Sequence, residues 1–360
     1  MAQPVKEISI ANRAIGPAHP PYVIAEMSGN HNHDINRAFA LIDAAADAGA
    51  DAVKLQTYTP DTITLDHDGP GFTVKGGIWD GRTLYDLYRE AHTPWNWHEK
   101  LFVHAMARGI AIFSTPFDHS AVDLLASLNA PAYKIASFEA IDLPLIARVA
   151  AERKPVIIST GMTNLGEIHE AVQTARAGGC DLPVLLHCVS TYPSTFENAN
   201  VRTIPHLADA FGVIAGLSDH TPGTACAVAA VALGACVIEK HFTLARADGG
   251  PDSSFSLEPD ELKRLVGDCR NAHASLGGID YSRSEAERDS LVFRPSLYVV
   301  ADVAQGEVFT EQNLRSIRPG YGLAPKHLHA VLGAKALRDL RRGDPLAWNM
   351  VDMAAIIRRD

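Results

Sequence analysis

Residues 213–240, VIAGLSDHTPGTACAVAAVALGACVIEK, contain the pattern that decides the fold. The stretch starts with an apolar run (213–217), continues through an alanine-rich segment with helical character, and ends in a second apolar run (236–240). Continuous apolar runs are typical of parallel strands that are covered on both faces and joined by crossover helices. The stretch therefore predicts a β-α-β unit.

The same alternation occurs along most of the chain. Eight short apolar runs span residues 22–26, 52–56, 111–114, 132–135, 155–159, 184–188, 213–217 and 236–240. Eight β/α pairs in about 220 residues favour an α/β fold of the closed (β/α)8 type, a TIM barrel, over an open doubly wound sheet. The sequence has no G-x-G-x-x-G or Walker motif that would support a nucleotide-binding fold. We assign residues 1–280 to a catalytic barrel.

Two segments depart from this rhythm. Residues 57–97 form a long insertion after the second strand, and long barrel insertions are usually functional loops. Residues 281–294 are predicted to be a linker, because they lack a regular apolar pattern. The short strands and Gly-Pro turns beyond it predict a compact second domain over residues 295–360.

Composition restricts the class of protein. Of 360 residues, 47% are apolar and 21% are charged, as in an ordinary soluble globular protein. A formal charge of -10 argues against a nucleic-acid partner, which usually requires a basic face. Five scattered cysteines indicate a reducing compartment, and we find no signal peptide and no membrane span. We therefore expect a cytoplasmic protein without a membrane partner.

Polar residues stand at nearly every predicted strand end, where barrel enzymes build their active sites. Each could separately be a loop residue that caps the next helix, but together they predict a site. The set includes Glu26, Asn30, Asn32, Lys54, Gln56, Ser114, Thr115, Lys134, Ser137, Glu139, Ser159, Thr160, Ser190, Tyr192, Ser218, Asp219, His220, Glu239 and His241.

Two kinds of chemistry follow from these residue types. His220 and His241 end neighbouring strands, and two imidazoles with open positions favour Mn²⁺, Zn²⁺ or Co²⁺ over Mg²⁺. Lys54 and Lys134, surrounded by hydroxyls, could bind a small phosphorylated acid. Alternatively, both lysines could be paired for stability with Glu26 and Glu139, which are also the acid/base candidates.

The sequence resembles the sialic acid synthase family, in which a phosphoenolpyruvate-condensing barrel is followed by a small antifreeze-protein-like (SAF) domain. The resemblance covers nearly the whole chain, and residues 78–98, IWDGRTLYDLYREAHTPWNWH, resemble the pseudaminic acid synthase branch. The motifs that carry it are IAEMSGNHN, AVKLQT, STPFD, YKIASFE, IISTGM, GLSDHT, EKHFT, GGPDSSFSLEPDEL and IRPGYGLAP.

The resemblance implies roles for individual residues. His220 and His241 would bind a divalent metal, Mn²⁺ first, with Co²⁺ or Mg²⁺ as alternatives. Glu26 or Glu139 would handle protons, and Arg318 would come from the partner subunit of a domain-swapped homodimer. Phosphoenolpyruvate would be held by Lys54, Thr115, Lys134, Ser137, Ser159, Ser218 and Ser190. Ser190 stands at a position where sialic acid synthases have Asn. The amino sugar would face Gln56, Tyr192 and Asp252.

The implied reaction joins phosphoenolpyruvate, water and the open-chain form of 2,4-diacetamido-2,4,6-trideoxy-L-altrose. It would yield pseudaminic acid and phosphate by C–O cleavage. N-acetylneuraminate or legionaminate synthesis is the nearest alternative. A non-catalytic glycan-binding protein and a metal aldolase or phosphodiesterase are more distant ones.

Overall fold

The computed structural model describes residues 6–352 and divides the chain into two compact units, residues 1–277 and 278–360. The predicted domains 1–280 and 295–360 both reach terminal residues, 1–5 and 353–360, that lie outside the described part of the chain.

Within residues 6–352, eight parallel strands close into a barrel, which confirms the predicted TIM barrel. All eight predicted runs are strands, and their observed bounds differ from the predicted ones by at most two residues. The strands are β3 (Tyr22–Glu26), β4 (Ala52–Thr57), β5 (Ala111–Pro116), β6 (Tyr133–Ile135), β7 (Val156–Ser159), β8 (Val184–Cys188), β9 (Ile214–Asp219) and β10 (Val237–His241), preceded by a hairpin of β1 (Ile8–Ile10) and β2 (Arg13–Ile15).

The helices of the first unit connect these strands. Several start at a side-chain cap: Asp34 and Asp118 each accept a hydrogen bond from a free backbone N–H of the first turn. No helix of residues 6–352 is long and apolar enough to cross a membrane. The helices are α1 (Ile35–Asp47), α2 (Pro60–Ile63), α3 (Leu84–Ala91), α4 (His98–Arg108), α5 (His119–Ser127), α6 (Leu143–Ala150), α7 (Leu165–Gly178), α8 (Thr203–Phe211), α9 (Ala225–Ala232) and α10 (Pro259–Leu276).

Strand alternation divides the core into two layers. Successive strand residues point to opposite faces, so every second residue faces the barrel interior. Outward residues such as Val53 and Leu55 pack against the helices. Inward residues near the strand starts, such as Ile24 and Phe113, fill the interior together with Ile10 and Ile15 of the β1–β2 hairpin. The amino end of the barrel is therefore apolar, and the polar inward residues lie toward the other end.

The second unit has its own small apolar core. A two-stranded antiparallel sheet, β11 (Ser296–Val299) and β12 (Leu314–Ile317), is followed by the short helix α11 (Leu328–Val331). Leu297, Phe309 and Leu346 belong to the core cluster beside these elements. The segment predicted to be a linker, 281–294, carries two short 3-10 helices, Glu285–Glu287 and Asp289–Phe293.

Candidate active site

The polar ring at the carboxyl end of the barrel follows from the same alternation. Ala52 is an inward core residue of β4, so Lys54 and Gln56, two and four residues later, share its face. In the same way Ile157 places Ser159, and Val237 places Glu239 and His241, toward the interior. The apolar inward residues near the strand starts thus identify the strand face that the polar residues near the strand ends share.

Lys54 and Glu26 form a buried ion pair between adjacent strands. Their Cα atoms are in register, and Lys54 Nζ lies 2.6 Å from Glu26 Oε2. Lys54 also donates to Thr115 Oγ1 at 3.0 Å, and Gln56 Nε2 donates to Glu26 Oε1 at 2.9 Å. Burial opposes the charged form of Lys54, but Glu239 and Glu26 outweigh it and raise its pKa. Lys54 is therefore a protonated, positively charged group inside the barrel.

Lys134 is the second buried cation, and its acidic neighbour is Glu239. Lys134 Nζ donates to Ser159 Oγ at 2.7 Å and lies 3.4 Å from Glu239 Oε1, which also accepts from Ser218 Oγ at 2.9 Å. The suggested pairing of the lysines with Glu26 and Glu139 was thus wrong for one of them, since Lys134 pairs with Glu239. Burial lowers the pKa of Lys134 despite the opposing effect of Glu239.

Two carboxyl groups share these two lysines, and their environments differ. Burial disfavours the ionised form of Glu239, but Lys134 and Lys54 overcome it and lower its pKa. Burial and the nearby Glu239 charge raise the pKa of Glu26, although Lys54 acts against them. Glu26 is therefore the carboxyl group of this network that more readily holds a proton.

A third buried lysine, Lys240, belongs to a separate network. It follows Glu239 directly, so its side chain leaves the strand on the opposite face. Lys240 Nζ donates to Asp219 Oδ2 at 2.6 Å and also to the Thr221 carbonyl oxygen, while Asp219 Oδ1 accepts from Thr221. This ion pair links β9 to β10 outside the polar ring.

A small cradle of hydroxyl groups surrounds Gly161, which stands two residues after the end of β7. Gly161 N–H donates to Ser137 Oγ at 3.1 Å. A Cβ on Gly161 would overlap Ser190 Oγ and would lie 2.7 Å from Ser137 Oγ, so a larger residue here would force these hydroxyl groups to move. Ser190 Oγ is also 3.7 Å from Cys188 Sγ. The structure thus brings together the predicted Ser137 and Ser190.

The two predicted metal ligands lie next to each other. The ring centroids of His220 and His241 are 5.4 Å apart. His220 Nδ1 donates to the Val189 carbonyl oxygen at 3.0 Å, which leaves Nε2 as the nitrogen with a free lone pair. The Cys188 thiol beside Nδ1 raises the pKa of His220 against the effect of burial. Burial, with His220 and Lys54 nearby, holds the pKa of His241 well below its usual value.

This donor set fits a divalent metal with two protein ligands. His241 Nδ1 is buried without a hydrogen-bond partner, which is costly unless another group occupies that position. Asp252 Oδ2 lies 3.9 Å from it, too far for a hydrogen bond. No group of three or more His, Cys, Asp and Glu side chains suited to a metal occurs between residues 6 and 352. Water or substrate would therefore supply the other ligands.

An aromatic wall, consisting of Trp79, Tyr192 and Phe255, stands beside the histidines. The ring centroid of Tyr192 lies 4.4 Å from that of His220 and 5.3 Å from that of Phe255. The ring centroids of Phe255 and His241 are 4.9 Å apart. The centroid of the Trp79 ring lies 5.7 Å from that of Tyr192. Tyr192 is thus the central member of the wall.

Glu139 is the most isolated acid of the site. It follows β6 by four residues, and its Oε2 is buried without a hydrogen-bond partner. Burial raises its pKa to about 7, although its own backbone and the charge of Lys134 act in the opposite direction. A carboxyl group with a pKa near neutrality can both accept and donate a proton.

Three features of the site were missed or undervalued in the sequence. Glu239 was noted as a strand-end residue but received no role, although its position two residues before His241 places both on the inner face. Gly161 lies in the IISTGM motif that carries the family resemblance, but the sequence suggests no role for it. Trp79 lies within the insertion flagged as functional, but nothing in the sequence indicates its contact with Tyr192.

Arg318 lies in the second unit, directly after β12, and is exposed. Its assignment to a partner's site stays a prediction.

Together, the closed parallel barrel and the ring of lysines, histidines, hydroxyls and carboxylates at its carboxyl end define an α/β-barrel protein with the layout of an enzyme active site. The NeuB family model matches residues 41–281, and the SAF domain model matches residues 294–352. The chain belongs to the NeuB family and carries a SAF domain.

Individual relatives agree with this. The chain is 44% identical to the pseudaminic acid synthase of Campylobacter jejuni over 90% of this chain and 95% of that protein. It is 39% identical to the N,N'-diacetyllegionaminic acid synthase of the same species, over 89% of this chain and 97% of that protein. The crystal structure of the N-acetylneuraminic acid (sialic acid) synthetase of Leptospira borgpetersenii, in complex with citrate, superposes with a TM-score of 0.71. It has 31% identity and covers 80% of this chain and 95% of that one.

Proposed function

We propose that the protein condenses phosphoenolpyruvate with the open-chain form of 2,4-diacetamido-2,4,6-trideoxy-L-altrose and water, giving pseudaminic acid and phosphate. The proposal rests on one observation: two buried lysines, Lys54 and Lys134, lie at the same end of the barrel as the His220–His241 pair. A cationic pocket beside a metal-competent pair suits an anionic substrate that reacts with a carbonyl group.

Phosphoenolpyruvate would bind to the lysine side of the ring. Lys54 and Lys134 neutralise its carboxylate and phosphate, and both ammonium groups already donate to hydroxyls that can rearrange toward the ligand. Buried cations act strongly because little water screens them. The Gly161 cradle adds the hydroxyls of Ser137 and Ser190. Thr115, Ser159 and Ser218 complete the set.

The sugar would bind on the histidine side. Tyr192 lies against His220, and Asp252 lies near His241, so both can meet a polyhydroxylated chain whose aldehyde is held at the histidines. Gln56 has its amide nitrogen bonded to Glu26. Its contact with the sugar would therefore use the amide oxygen.

The chain's residues would then guide two bond changes. C3 of phosphoenolpyruvate attacks the aldehyde carbon, the aldehyde C=O π bond opens, and its oxygen takes a proton from Glu139 or Glu26 in the protonated form. C2 acquires oxocarbenium character, which a neighbouring carboxylate stabilises. Water then adds to C2 and returns a proton to the same carboxylate. The C2–O bond to phosphate breaks, phosphate leaves with the proton of the C2 hydroxyl, and C2 becomes the carbonyl carbon. A bound divalent metal, which we propose to be Mn²⁺, supplies Lewis acidity toward the aldehyde oxygen.

A phosphate-release assay tests the reaction and the sugar together. Purified protein with Mn²⁺ and phosphoenolpyruvate should release phosphate rapidly with the 6-deoxy diacetamido altrose. Release should be slower with the legionaminic acid precursor and with N-acetylmannosamine. The higher identity to a pseudaminic acid synthase, 44% against 39%, supports this order. If the legionaminic acid precursor gave the fastest phosphate release, that sugar would be the substrate instead. Release without any sugar would refute condensation.

The cleaved bond is tested with labelled phosphoenolpyruvate. With ¹⁸O in the oxygen that bridges C2 and phosphorus, C–O cleavage places the label in the released phosphate. Label retained in the sugar acid would show P–O cleavage instead, and the proposed addition of water at C2 would be wrong.

The pKa of Glu139 predicts how the rate depends on pH. If Glu139 must be ionised to take a proton from water, its pKa of about 7 makes kcat/KM fall as the pH drops below about 7. Glu139→Gln should lower kcat roughly a hundredfold or more and remove this acidic limb from the profile. We would measure kcat/KM from pH 5.5 to 9 for both proteins. An unchanged limb in the variant would assign the proton transfer to another group.

We also propose that Arg318 acts in the partner's barrel within a domain-swapped dimer. Arg318→Ala and His220→Ala chains should each be inactive alone. After unfolding and refolding as an equal mixture they should recover about a quarter of wild-type activity, because half of the dimers are mixed and one of their two sites is intact. Absence of recovery, with mixed dimers present, would place Arg318 in its own chain's site or outside the site.

A further inference from the structure

Trp79 stands at the edge of the candidate site, in the insertion between β4 and α4. It ends the 3-10 helix Gly77–Trp79, and its ring packs against Tyr192, the neighbour of His220. Its indole Nε1 donates to the Pro251 carbonyl oxygen at 2.9 Å. Trp79 therefore touches the two loops that carry Tyr192 and Asp252, both predicted to face the sugar, since Pro251 directly precedes Asp252.

The backbone around Trp79 is an ordered hairpin. Val74 N–H donates to the Arg82 carbonyl oxygen at 2.8 Å, and Gly81 N–H donates to the Val74 carbonyl oxygen at 2.9 Å. Gly76 and Gly77 have positive φ angles of 76° and 74°, a conformation that favours glycine. The turn thus has the sequence it needs to hold the tryptophan in one position.

The chemistry that Trp79 can offer a ligand is restricted. Indole has one hydrogen-bond donor and no acceptor, and Pro251 already uses that donor. What remains toward the site is the carbon face and edge of a half-buried ring. Such a surface stabilises an apolar group and penalises a hydroxyl group that loses its water.

We propose that Trp79 is a specificity-determining residue that recognises the C6 methyl group of a 6-deoxy sugar. The inference rests on the proposed function, in which the sugar carries a methyl group at C6 where other aldoses have a hydroxymethyl group. N-acetylmannosamine also carries an acetamido methyl group but has a hydroxymethyl group at C6, so contact at C6 discriminates against it where contact with the acetamido group would not. The aromatic wall of Trp79, Tyr192 and Phe255 selects the sugar whose end is apolar.

The test compares two aldehydes that differ at C6 alone: the 6-deoxy diacetamido altrose and its 6-hydroxy analogue. Wild-type protein should favour the 6-deoxy sugar in kcat/KM by about tenfold or more. Trp79→Phe should reduce this preference severalfold and Trp79→Ala should abolish it, mainly through the KM of the 6-deoxy sugar. The KM of phosphoenolpyruvate should stay unchanged in both variants, which also shows that the lysine side of the site remains folded.

Trp95→Phe is the matched control, because Trp95 lies in the same insertion and its indole also donates to a backbone carbonyl, that of Tyr58, at 3.2 Å. The Trp95→Phe variant should prefer the 6-deoxy over the 6-hydroxy sugar in kcat/KM as strongly as the wild type does. An unchanged preference in Trp79→Ala, or equal losses with both sugars, would overturn the inference and leave the proposed function intact. If wild-type protein releases no phosphate with either sugar, the proposed function fails and the inference fails with it.

Discussion

His220→Ala is expected to lower kcat about a thousandfold and to abolish binding of Mn²⁺. The bound metal contributes several kcal/mol to stabilising charge in the transition state, and about 4 kcal/mol corresponds to a factor of roughly a thousand. In this structure His220 is one of two imidazoles available to a metal, and its Nδ1 bond to Val189 directs the other nitrogen to the site. With one ligand lost, His241 alone would hold the ion weakly.

The measurement should separate metal binding from turnover. Titration calorimetry with Mn²⁺ on chelator-treated protein gives the affinity, and phosphate release gives kcat. His206→Ala is a suitable control, because His206 is an exposed residue of α8. Wild-type affinity for Mn²⁺ in His220→Ala would remove His220 from the metal site, and full activity of chelator-treated wild-type protein would remove the metal from the mechanism.

Much of the fold could be predicted because its signals are local. Most barrel strands contain a short continuous apolar run, and burial on both faces makes that run recognisable without knowledge of its neighbours. Ends were less accurate where polar residues continue a strand: β9 extends through Ser218 and Asp219, two residues past the apolar run. There the barrel's hydrogen bonds, not hydrophobicity, set the end of the strand.

The site was predictable to the extent that strand alternation orients side chains. The Glu26–Lys54 pair joins adjacent strands in register, so it follows from strand order alone. The contact between Lys134 and Glu239 joins β6 and β10, which are not neighbours, across the barrel interior. Such contacts depend on the height of each side chain within the barrel. The packing of Trp79 on Tyr192 depends on the path of a long insertion, which no local signal describes.

Lys134→Met is expected to lower kcat/KM for phosphoenolpyruvate by about a hundred- to a thousandfold. Removing one partner of a buried, hydrogen-bonded charge pair costs about 2–5 kcal/mol, partly because the other charge stays behind. Here the remaining group is Glu239, which would then repel an anionic ligand. The loss should therefore appear mainly as weaker phosphoenolpyruvate binding, measured by initial rates at varied phosphoenolpyruvate and saturating sugar.

Lys240→Met separates this ligand effect from the general cost of removing a buried lysine. Lys240 is as buried as Lys134, but its Asp219 partner lies outside the polar ring. The Lys240→Met variant should therefore lose about 3–5 kcal/mol of unfolding free energy, measured in urea. Its KM for phosphoenolpyruvate should stay near the wild-type value. Adding Glu239→Gln to Lys134→Met should recover stability, since the unpaired carboxylate is gone, but should leave phosphoenolpyruvate binding impaired. If the double variant regained wild-type binding, Lys134 would serve to neutralise Glu239 and would not bind the substrate.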